Sequence, residues 1–140
     1  MKSILTFLFC FTLAVTYSQT DSSLTNKNFR LNTDSVYDKP DIEAQFPGGE
    51  NKWNKYILSV VEKNIDDLVD DKKSRGTCIL KFIVDTNGVI SALGVTTLEG
   101  TVLAKISSSA ILNGPSWIPA TVNGVNVKSV RIQKVTFRVH

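Results

Sequence analysis

The chain has 140 residues, of which 42% are hydrophobic and 21% charged, with a formal net charge of +3. That length holds one domain, and the apolar fraction excludes a disordered tail. One histidine, His140, excludes a His-based metal centre and a triad built on imidazole, and so thin a positive excess excludes a phosphate-backbone binder. No nucleic acid, cofactor, metal or small-molecule substrate is expected.

Residues 1–19 combine Lys2, an uncharged run from Ile4 to Val15, and the polar Thr16-Tyr17-Ser18-Gln19, which is the layout of a secretory signal peptide. The run is shorter than the roughly 20 residues of a spanning helix. Cleavage near Ser18 or Gln19 and export are therefore expected, with an uncleaved inner-membrane anchor as the alternative. Cleavage removes Lys2, and so one of the three net positive charges, and Cys10, leaving Cys78 as the only cysteine. Residues 20–35 are rich in Thr, Ser, Asn and Asp without a period and read as a linker.

Residues 36–140 read as the folded domain. Val36-Tyr37-Asp38 suggests a short strand, and Phe46-Pro47-Gly48-Gly49 a tight loop with positive-φ positions. A helix follows from Glu50 to about Asn64, with Trp53, Tyr56, Ile57, Val60 and Val61 along one face. Asp66, Asp67, Asp70 and Asp71 lack the spacing of a calcium loop and read as a solvated, partly helical segment. Thr77 to Asp85 alternates, which groups Cys78 with Leu80, Phe82 and Val84 as a small buried hydrophobe. Asp85-Thr86-Asn87-Gly88 then turns the chain into a second strand reaching about Leu98, where Gly94 marks a weak point or bulge.

A second helix is expected from Thr101, as N-cap, to the stop at Asn113-Gly114-Pro115, with Leu103, Ile106, Ala110 and Ile111 as its apolar stripe. Ser107, Ser108 and Ser109 read as helix-surface serines with no group placed to activate one, so enzymatic chemistry is not expected. After a turn at Asn123-Gly124, Val125 to His140 is β-rich, and its apolar positions change phase between Ile132 and Val135, implying a bulge or burial on both faces. The order is strand, helix, strand, strand, helix, strand: an α+β domain with two helices packed on a small antiparallel sheet.

Three local signatures accompany this order: Phe46-Pro47-Gly48-Gly49 before the first helix, Phe82-Ile83-Val84-Asp85 with Gly88 through the hairpin, and Trp117, Pro119, Ala120, Asn123, Gly124 and Val127 ahead of the last strand. Together they make residues 36–140 resemble the C-terminal domain of TonB, the periplasmic part of an energy transducer. Each signature also has a structural reading. Phe46 is a hydrophobic staple for the first helix, Trp117 and Pro119 hold an irregular crossing back to the sheet, and Asn123-Gly124 makes a primed turn.

What the resemblance implies is capture of an extended segment, from an outer-membrane receptor or another envelope protein, at a sheet edge. The last strand is the expected edge, and the residues this carries over are Lys128, Val130, Arg131, Ile132, Lys134, Val135 and Phe137. Its cations also suit protection of an edge against aggregation, and the edge permits a strand-exchanged homodimer. Asn64-Ile65 stands where the family often carries Tyr-Pro. The leader reads as cleaved, and the linker reaches at most about 55 Å. The expectation is accordingly a free-standing, non-enzymatic periplasmic binding module, with a minimal membrane-anchored transducer as the alternative.

Overall fold

Two long strands with strict alternation set the architecture. The computed structural model describes residues 35–140, so the expected leader and all but the last residue of the expected linker lie outside the described residues. In chain order the elements are β1 (Val36–Tyr37), α1 (Glu50–Lys63), α2 (Ile65–Asp70), a 3-10 turn (Lys72–Ser74), β2 (Gly76–Val84), β3 (Ile90–Val95), α3 (Val102–Leu112), β4 (Ala120–Val122) and β5 (Val125–Phe137). The class is α+β, as expected, but with three helices and a five-stranded sheet.

The other strands assemble on β5. One flank pairs antiparallel with β2, unbroken from Gly76↔Phe137 to Val84↔Ser129. β4 pairs antiparallel with Val125 to Val127, beyond the point where β2 ends, and the opposite flank takes the two residues of β1 at Lys128 and Ser129. β1 runs parallel to β5, which makes the sheet mixed rather than antiparallel. β3 pairs with the far side of β2.

The unbroken ladder corrects the expectation of a bulge or two-sided burial in the last strand. Val127, Ser129, Gln133, Val135 and Phe137 are buried, whereas Ile132 is 52% exposed. The helix-covered face is polar in its middle, at Ser129, Arg131 and Gln133, and the apolar Val130 and Ile132 lie on the other face, which mimics a phase change. The irregularity of the sheet falls instead in β3. There an extra residue lies between Ser91 and Gly94 opposite Lys81 to Ile83, with Ala92 at φ 49°.

Cys78, Leu80, Phe82 and Val84 of β2 face the helices and are buried, together with Trp53 of α1, Leu68 of α2, and Leu103, Ala104, Ala110 and Ile111 of α3. Burial pushes the Cys78 thiol above its ordinary pKa. Ser107 is also fully buried, against the expectation of a surface serine, because it shares the inward face of α3 with Ala104 and Ala110.

Asp71 departs from the solvated run in which its sequence neighbours place it. Its Oδ2 accepts from the Val102 N–H at 2.8 Å and from the Ser74 hydroxyl at 2.7 Å, while Ser74 Oγ accepts from the Leu103 N–H at 2.9 Å. Thr101 Oγ1 accepts from the Ala104 N–H at 3.2 Å, as an N-cap should. Three successive N–H groups at the start of α3 are thereby satisfied, and a carboxylate sits at the positive end of the helix.

The Ser74 hydroxyl and the Val102 N–H hold the Asp71 carboxyl below its ordinary pKa of 3.8. A carboxylate with a depressed folded pKa stabilises the fold above its unfolded pKa and loses that contribution as pH falls through the folded one. Asp71→Asn is therefore expected to lower Tm at neutral pH, with the gap to wild type closing as pH falls below 3.8, read by thermal unfolding across the acid range.

Two glycines at nearly equal φ separate strain from space. A methyl added at Gly88, φ 79°, would lie 2.0 Å from the Trp117 carbonyl oxygen, whereas one at Gly124, φ 77°, would meet nothing within 4 Å. Gly124→Ala is expected to cost about 1–2 kcal/mol, the penalty of a left-handed backbone alone, and Gly88→Ala roughly 3 kcal/mol or more, measured by urea unfolding.

Candidate functional site

Five aromatic rings from four segments converge beside the start of α1. Trp117 lies 5.1 Å from Phe82, 5.8 Å from Phe46 and 5.8 Å from Trp53, centroid to centroid. Phe46 stacks on Tyr56 at 5.2 Å and meets Trp53 edge-on at 5.5 Å. Phe46 lies three residues before the N-cap residue Gly49, and Trp53 is the fourth residue of α1, so their contact closes over the helix start from two residues further back than the staple expected of Phe46. The Tyr56 hydroxyl donates to the Ala110 carbonyl at 2.8 Å and ties α1 to α3.

Main-chain bonds hold the same point. Gln45 and Ile118 exchange two, Gln45 N–H to Ile118 O at 3.0 Å and Ile118 N–H to Gln45 O at 2.7 Å. The Trp117 N–H donates to the Gly88 carbonyl at 3.0 Å. The segments of the three sequence signatures thus meet at Trp117: Phe46 and Gln45 from one side, Phe82 and Gly88 from another. Pro119 follows Trp117 into β4, and Asn123-Gly124, at φ 50° and 77°, makes the primed turn into β5.

A cleft of about 210 Å³ opens next to this cluster. Phe46, Trp53 and Trp117 form its apolar wall, Glu43, Gln45 and Glu50 its polar rim, and Arg131 enters from β5. Arg131 stands opposite Phe82 in the ladder, which places its side chain on the helix-covered face beneath the rings. Its Nη1 donates to Glu43 Oε2, whereas its buried Nε–H has no partner among the described residues. The Arg131 side chain is 20% exposed and that of Glu43 65%.

Past Ser129 the flank of β5 facing away from β2 carries no strand among the described residues, from Val130 to Phe137. The residues expected to bind a partner therefore divide. Lys128 lies opposite Val36 of β1. Val130, Ile132 and Lys134 face the side of the sheet away from the helices, Ile132 and Lys134 exposed. Val135 and Phe137 are core residues opposite Cys78 and Gly76, and neither side chain is presented at the flank. Glu43, Gln45 and Glu50 carry no sequence signal of their own. Glu43 sits in an irregular segment held by two bridges, Ile42 to Thr121 of β4 and Gln45 to Ile118 just before it.

Comparison with protein-family models, curated proteins and solved structures finds no match to this chain. Trp117→Ala is expected to cost roughly 3–5 kcal/mol, the range for removing a buried large aromatic, and Trp117→Phe clearly less, both read from the urea midpoint.

Proposed function

We propose that residues 36–140 form a TonB C-terminal-like, non-enzymatic protein-binding module, which takes up an extended segment of an outer-membrane receptor or another envelope protein. The segment adds as a strand along β5 from Val130 to Phe137. The observation that carries this reading is the unpaired flank itself, which continues the line already used by β1. Unpaired N–H and C=O groups on a strand otherwise locked to β2 are a preformed template for main-chain hydrogen bonds. The exposed Lys134 and Arg138 keep that template from uncontrolled self-pairing.

The meeting of the three sequence signatures at Trp117 supports the TonB-like reading, because residues far apart in the chain serve one packing point. Of the three consecutive serines on α3, Ser107 presents no hydroxyl to a substrate, because it is buried in the core. No helix among the described residues is long and apolar enough to cross a membrane. Export to the periplasm is proposed from the leader alone.

A photo-crosslinking residue placed at Lys134 or Thr136 in intact cells tests the proposal, with Glu62 on the exposed side of α1 as the control. Covalent adducts to an envelope protein from the β5 positions and none from position 62 are expected. Adducts equal at all three positions, or absent from β5, would overturn it, and adducts between two copies of this chain would assign the flank to self-pairing.

A further inference from the structure

We infer that Arg131 sets the specificity of the β5 flank by selecting a partner strand with a carboxylate side chain level with it, and that Glu43 occupies Arg131 until such a strand arrives. The inference rests on strand addition along β5. Residues directly opposite on neighbouring strands project to the same face. A residue added level with Arg131 therefore projects toward the helix-covered side, where the cleft lies.

Donor geometry then favours one chemistry. A guanidinium offers five N–H donors in a planar fork suited to two parallel bonds with a carboxylate. Glu43 takes a bond from Nη1, and the Nε–H edge is left unpartnered and sealed from water, where only an acceptor satisfies it. Glu43 is itself a carboxylate on this guanidinium, so the pairing preference is already displayed. Its side chain is 65% exposed, against 20% for Arg131, so Glu43 swings away freely while Arg131 stays in place. Glu50, also on the rim, would instead favour a cation.

The test uses the full chain and capped octapeptides of alternating Thr and Val, matched to the length of Val130 to Phe137, in which one Glu, Gln or Lys is moved through every position. Calorimetry gives affinity, and amide exchange reports protection of β5. The best Glu peptide is expected to bind roughly tenfold or more tightly than its Gln counterpart, with Lys weakest. Arg131→Gln is expected to erase the Glu preference while retaining binding, and Arg131→Lys, which keeps the charge without the fork, to restore part of it. Glu43→Gln, at an exposed side chain and so without loss of the fold, is expected to strengthen Glu-peptide binding several-fold by removing the internal competitor. Equal binding of Glu and Gln peptides, with β5 amides protected, would overturn the role of Arg131 and leave strand addition standing. Tightest binding by Lys would overturn it in favour of Glu50, and no binding by any peptide would remove both proposals.

Discussion

The position of Trp117 is the constraint on which the remainder of the domain depends. Its ring touches Phe46, Trp53 and Phe82, and its backbone docks against Gly88, so one residue fixes the entry to α1, the tip of the β2–β3 hairpin and the approach to β4. Aromatic pairs contribute roughly 0.5–1.5 kcal/mol each beyond the area they bury. Their larger effect here is geometric. They pin the segment from Glu43 to Phe46 against the head of the sheet, which holds Glu43 within reach of Arg131 and gives the cleft its apolar wall.

The polar middle of β5 is the feature most at odds with a simple core. Ser129 and Gln133 are buried and Arg131 nearly so, on a face whose neighbours across the ladder are Val84, Leu80 and Phe82. A buried polar group without a partner costs about 1–3 kcal/mol, and both Ser129 Oγ and Arg131 Nε are of this kind among the described residues. Apolar residues there would pack more favourably. The cost is concentrated where the cleft meets the unpaired flank, which is where a binding surface would place it.

Much of the architecture was legible in the chain. The helical spacing from Trp53 to Val61, the alternation from Cys78 to Val84 and the Asn-Gly signals at both turns are strong local patterns, and each corresponds to an element or turn of the structure. What stayed hidden depends on contacts between distant segments. β4 spans only three residues and exists through its turn onto β5. Asp71 looks like one more surface acid until folding brings α3, whose sequence begins 31 residues later, against it. The phase of β5 misled because apolarity is a poor guide to facing where the inward residues are Ser, Arg and Gln. For the candidate site, Arg131 was visible as a cation on the last strand, but its inward direction and its pairing with Glu43 were not.

The unbroken ladder of β5 also governs when the domain can assemble. β1, β2 and β4 all pair with this strand, and β5 is last among the elements in chain order. Until Val125–Phe137 is available, β2 has only its hairpin partner, β1 has no strand to pair with, and β4 has only its bridge to Ile42. Closing the sheet brings together residues such as Gly76 and Phe137, so loop-closure entropy is met late and in one step. A chain emerging from a ribosome or a translocation pore therefore stays without its sheet until its final strand is free, and folding is set by release of the C-terminal segment rather than by the earlier helices.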